Sequence, residues 1–210
     1  MTQSKTLRRC ELALLLGVAL AALLGVWLDG AQAALSDRVI RLHVLANSDS
    51  EADQALKLRV RDAVLAEAEE LFVPGAGRAE TEELLRAHLY DLAAAGAEVV
   101  GEAGYSYPVT ASLVHDYWFP PKTYTDFALP AGAYTALRIE IGAGGGQNWW
   151  CVVFPPLCLG SVSETTQETA LEAGLTENQV SLMTGEDEGY VVKFKAVELL
   201  EQFKGWLEGR

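Results

Sequence analysis

Between Arg38 and Leu65 the chain reads RVIRLHVLANSDSEADQALKLRVRDAVL, a strand pattern that breaks at four short polar residues and restarts at once as a helix pattern. Nothing else in the sequence constrains the fold as tightly, because a strand and a helix are joined there by one short turn. Ile40, Leu42, Val44 and Ala46 alternate with Val39, Arg41, His43 and Leu45, so one strand face is wholly apolar and the other mixed, and at least one side must be covered. Asn47, Ser48, Asp49 and Ser50 end the strand, since their short side chains bond nearby backbone and suit turns and helix starts. Ser50 with Asp53 has the form of a capping box in which Asp replaces Glu or Gln.

In the helix that follows, Leu56, Val60, Ala63, Val64 and Leu71 fall on one arc, and Leu58, Leu65 and Phe72 on a second across from it. Between the stripes runs a ridge of Asp53, Lys57 and Arg61. Spacing alone allows two readings. One is an i,i+4 charge ladder on a solvated face, worth roughly 0.3 kcal/mol per pair. The other is a polar surface flanked by apolar side chains, as recognition sites often are.

Upstream lie Lys5, Arg8 and Arg9, a nearly unbroken apolar run from Leu12 to Leu28, and Ala31-Gln32-Ala33. A basic region, an apolar region and an A-x-A site make residues 1–33 a secretory signal peptide, with cleavage expected after Ala33. The apolar run is long for such a leader, so an uncleaved membrane anchor is the alternative. With either, the positive flank keeps the amino terminus inside, and residues 34–210 form a single extracytoplasmic domain that meets the membrane only through the leader. The formal net charge of −13 argues against nucleic acid and against anionic lipid or wall polymers as partners.

Pro74, Gly75 and Gly77 stop the first helix, and Glu80 to Ala95 reads as a second, with Leu84, Leu85, His88, Leu89 and Leu92 on its apolar side. From Tyr107 to Phe119 the period becomes two, placing Val109, Ala111, Leu113, His115, Tyr117 and Phe119 on one face. Thr135, Leu137, Ile139 and Ile141 mark a third strand with one wet face. Gly142 to Gly146 then reads as a hairpin between antiparallel strands, not as a phosphate cradle, which would end in Gly-Lys-Ser/Thr. The strand Trp149 to Phe154 is apolar on both faces and is expected at the centre of the sheet. Short helices are expected over Glu164 to Ala173 and Glu177 to Met183, and a last amphipathic one from Lys193 to Glu208. Four strands flanked by helices indicate an α+β two-layer sandwich with a mostly antiparallel or mixed four-stranded sheet.

Cys10 lies in the leader, which leaves Cys151 and Cys158 in an exported domain, where a disulfide and two buried thiols are both open. Neither CxxC spacing nor a His cluster points to zinc, and nucleophile elbow, HExxH and S-x-x-K motifs are missing, so no catalytic residue, metal or cofactor is expected. His43 with Asp49 or Asp53 is the pairing that acid/base chemistry could use, and it supports a competing reading as an extracytoplasmic hydrolase acting on cell-wall material.

The blocks IRLHVLANSDSEADQALKLRVRDAVL and NWWCVVFPPLCL resemble those of the stage II sporulation protein R family of endospore-forming Firmicutes. The resemblance runs from the leader through at least Leu159, whereas Ala76 to Ala103 and the acidic segment Ser161 to Glu188 carry no matching motif. It implies a protein made in the forespore and exported into the space between the forespore and mother-cell membranes. There a membrane-embedded aspartic protease of the mother cell would sense it and remove the pro-sequence of sigma E. The partner-binding surface is expected at the turn and first helix, on Asn47, Ser48, Asp49, Asp53, Gln54, Lys57 and Arg61, where polar residues cluster beyond what packing requires.

Overall fold

Ile40–Leu45 forms strand β1, buried along its whole length. It is followed by helices α1 (Glu51–Glu70), α2 (Arg78–Ala87) and α3 (Leu89–Glu102), then β2 (Val109–Phe119), β3 (Lys122–Thr123), β4 (Ala128–Leu129), β5 (Gly132–Ile141), β6 (Asn148–Phe154), α4 (Thr166–Glu172) and α5 (Glu177–Thr184). This computed structural model describes residues 32–73, 75–157 and 166–184, with isolated positions at 12, 15–17, 19 and 30. It divides into residues 1–35 and 36–210, and all the elements above belong to the second unit. The expected leader lies almost wholly outside the described residues, as do Cys158 and the helix expected over 193–208. Among the described residues no helix is long and apolar enough to cross a membrane.

The fold is α+β, with a four-stranded sheet in the order β2-β5-β1-β6 and a separate β3-β4 ribbon. β1 runs parallel to β5 and antiparallel to β6, while β2 and β5 are antiparallel, so the sheet is mixed. One sheet face meets the helices. Leu56, Val60 and Val64 of α1, Leu85 of α2, and Leu92 and Val100 of α3 form one core with Ile40, Leu42 and Val44 of β1 and Leu137, Ile139 and Ile141 of β5.

Four expectations change. β6 is an edge strand, not a central one. An apolar pattern on both sides reports that both faces are covered and says nothing of backbone neighbours. Because β1 lies between β5 and β6, Gly142 to Gly146 is no hairpin. The loop passes across the end of β1 instead. The helix expected over 80–95 is two helices, broken at His88, whose φ of −108° and ψ of 18° leave the helical region, and the second continues to Glu102.

The fourth change is in β2. Its register against β5 slips between Val114 and Tyr117, where Asp116 takes a φ of 53°. Such a bulge inserts one residue and reverses the alternation beyond it. Val109, Ala111 and Leu113 therefore pack against the helix-side core, while Tyr117 and Phe119 turn to the opposite face beside the His43 ring. His115, just before the slip, bonds Thr135 Oγ1 at 3.2 Å and Glu82 Oε1 at 3.3 Å.

Candidate functional site

The β1–α1 turn is a closed hydrogen-bond network. Ser50 caps α1, its hydroxyl accepting from the Asp53 backbone N–H at 3.1 Å. The Asp53 carboxylate in turn accepts from Asn47 Nδ2 at 2.9 Å and Ser48 Oγ at 2.6 Å. These bonds, Ser48 first and Asn47 second, hold the Asp53 carboxyl below the usual carboxylate range. Asn47 Oδ1 accepts from Ala143 N at 3.0 Å, Asp49 Oδ1 from Gln147 N at 2.7 Å, and the Asn47 and Ala46 carbonyls from Gly145 and Gly146. The glycine loop is thus fastened to the turn from both ends. A Cβ on Gly142 would lie 2.2 Å from Asn47 Oδ1, and one on Gly146 would lie 2.2 Å from the Ser48 carbonyl oxygen.

Seven residues mark the expected partner surface, and the structure brings all of them to this corner in two layers. Asp53 and Lys57 are only 4% and 5% exposed. Lys57 Nζ donates to Gln54 Oε1 at 2.6 Å and to the Gln147 carbonyl at 2.9 Å, stitching α1 to the loop, and burial lowers its pKa. Asn47 and Ser48 are spent on the same network. Asp49 is exposed, and Gln54 and Arg61 are half-buried at the rim. Arg61 lies over the Trp149 ring at 4.7 Å and pairs with Asp62 at 2.6 Å, next to exposed Leu58. Asp53, Lys57 and Arg61 therefore form neither a free charge ladder nor a uniform face. Lys57→Ala is expected to cost about 1–3 kcal/mol by stranding the Gln147 carbonyl and the Gln54 amide. Urea unfolding would show it as a lowered midpoint, and an unchanged midpoint would contradict the role.

His43 lies elsewhere. It is wholly buried on the sheet face away from the helices, its Nε2 2.7 Å from Asn148 Oδ1 and its ring among Tyr117, Phe119 and Trp150. Asp49 and Asp53 are engaged by the turn, so the pairing on which a hydrolase reading rests does not form. Burial pushes the His43 pKa below the ordinary 6.5, with Arg138 and Arg41 acting the same way and the Asn148 bond and Glu140 opposing. Below that value the unfolded chain binds a proton that the folded chain refuses. Stability is therefore full above pH 6.5 and falls as pH drops through it, by at most about 1.4 kcal/mol per unit. In melts across this range His43→Gln should flatten the slope, and identical slopes would sink the assignment. The Asp53 contribution is lost only in a lower window, as pH falls from 3.8 towards its depressed folded value.

Two further features lie outside this corner. Glu82 is ringed by Arg78, Arg86 and His115, with Arg78 also donating to Thr135 Oγ1 at 2.6 Å, so that α2 is clamped to β2 and β5. Cys151, 5% exposed on β6, is disulfide-bonded, and Cys158, the partner considered for it, is outside the described residues.

The family model described as Stage II sporulation protein R matches residues 36–164, which contain the turn, the glycine loop and every strand. The chain belongs to the stage II sporulation protein R family. Stage II sporulation protein R of Bacillus subtilis (strain 168) is 39% identical over 124 residues, 59% of this chain and 55% of that relative. The matched stretch thus spans little more than half of the relative's length. No solved structure matches. Membership in this family supports a role in sporulation.

Proposed function

We propose that this protein is a secreted sporulation signal that activates a membrane-embedded aspartic protease of the mother cell, triggering removal of the pro-sequence of sigma E. The reading is carried by membership in the stage II sporulation protein R family. Two things accompany it: the leader pattern at residues 1–33, which would deliver the domain into the intermembrane space, and His43, which bonds Asn148 in place of a carboxylate.

The contact surface is the β1–α1 corner. Asn47, Ser48, Asp53 and Lys57 hold it rigid from beneath, and Asp49, Gln54, Arg61 and Leu58 face the partner. A rigid scaffold beneath a few exposed charged and apolar groups lowers the ordering cost of binding. Co-expressing the full chain with the protease and pro-sigma E tests the function. Processed sigma factor should accumulate when the chain is present and be missing without it, and equal processing in both would exclude the activator role.

A further inference from the structure

Among the described residues six buried side-chain nitrogens have no hydrogen-bond partner, and five of them share one face of the sheet. They are Arg41 Nε and Nη1, His43 Nδ1, Arg138 Nε and Trp150 Nε1. The register explains their grouping. Arg138, His43 and Trp150 stand opposite one another across β5, β1 and β6 in a single row, and Arg41 is the next residue of β1 on the same face. Strands are about 4.8 Å apart and successive same-face residues about 7 Å, so the set occupies one small patch.

Arg41 is the most unusual member. It is 0% exposed, its guanidinium lies 4.1 Å from the Phe119 ring centre and 5.0 Å from that of Tyr134, and its bonded nitrogen donates to Tyr124 Oη at 3.2 Å. Aromatic faces attract a cation but do not satisfy its N–H groups. A buried charge with no counter-ion costs several kcal/mol, and such sites normally hold one.

We propose that this patch is a binding site for a monocarboxylate that carries a hydrogen-bond donor next to the carboxyl group, as the C terminus of a polypeptide or a 2-hydroxy acid does. Charge selects the monoanion. Arg138 is already paired with Glu140 at 3.0 Å, and burial keeps the His43 ring neutral, so Arg41 supplies the one uncompensated positive charge. A dianionic phosphate would be left with an excess negative charge in a buried site. Hydrogen-bond sense selects the neighbouring donor. Asn148 Oδ1 can only accept, so His43 Nε2 carries the ring proton, and Nδ1 is then an acceptor among the donors of Arg41, Arg138 and Trp150. Arg138 closes one end of the row, and its side chain and that of Glu140 beside it are 29% and 32% exposed.

The proposal is independent of the protease reading. It is tested by titrating the full chain, labelled with nitrogen-15, with N-acetylalanine, lactate, propionate, N-acetylalanine amide and inorganic phosphate, and following the Trp150 indole N–H, identified by its loss in Trp150→Phe. N-acetylalanine and lactate should shift it saturably. Propionate, lacking the donor, should bind about 2–10-fold more weakly, the worth of one hydrogen bond. Both amide and phosphate should do nothing. Stronger binding by N-acetylalanine than lactate would make the polypeptide terminus the source, and the reverse the hydroxy acid. Arg41→Met should abolish the response, and Trp150→Phe, which keeps an aromatic ring but removes the indole N–H, should weaken N-acetylalanine binding in a competition melt. An indole signal that no acid moves, or that amide or phosphate moves equally, overturns the site.

Discussion

Replacing Gly146 by alanine is expected to destabilise the domain by about 3 kcal/mol, the upper end of overpacking costs. The added methyl would sit 2.2 Å from the Ser48 carbonyl oxygen, 2.6 Å from its carbon and 2.9 Å from the Ala46 Cβ. Two of those neighbours are main chain of the β1–α1 turn, so relief requires moving the turn that caps α1. The Gly146 N–H bond to Ala46 and the Lys57 bond to Gln147 would be disturbed with it. For a domain of this size each kcal/mol lowers Tm by about 2–4 °C, so a fall of about 6–12 °C should appear in thermal melts. Gly101→Ala is the control. Its Cβ would meet nothing within 4 Å, and it lies inside α3, so alanine there should be neutral or mildly stabilising. Equal melting of the two variants would mean that the loop does not press on the turn.

Reversing the charge at Arg61 is the second large effect, this time on activity. Arg61→Glu removes a cation held over Trp149 and places a carboxylate beside Asp62 at the rim of the proposed contact. Asp62 is exposed and Arg61 only half-buried, so little stability depends on the pair. A guanidinium that anchors an interface is worth at least about 2 kcal/mol, and the reversed charge adds to it, so pro-sigma E processing should drop at least about thirtyfold. The melting curve should stay close to that of the unaltered protein. Normal processing by a secreted, folded Arg61→Glu chain would remove this corner from consideration.

Local signals in the sequence were faithful. Strand β1, the polar turn, the Ser50 cap and the start of α1 all follow from side-chain period and from the habits of Ser, Asn and Asp. What the sequence could not show depends on partners far along the chain. The glycines of the loop answer to Asn47 and Ser48, nearly a hundred residues earlier, and that contact exists only because β1 inserts between β5 and β6. The same remoteness hid the burial of Lys57, whose second bond goes to Gln147. A single residue at Asp116 reversed the faces of β2, and period counting has no means of locating a bulge. Arg41 and His43 marked a mixed face by alternation, yet both are wholly enclosed once Phe119, Tyr134 and Trp150 converge on them.

The most direct test adds the purified protein to the outer side of membranes that hold the aspartic protease and pro-sigma E, and follows the length of the sigma factor with time. Processing that begins on addition, rises with concentration to saturation and is lost with Arg61→Glu is the predicted result. Processing that proceeds at the same rate without the chain, or that never begins with it, would contradict the account.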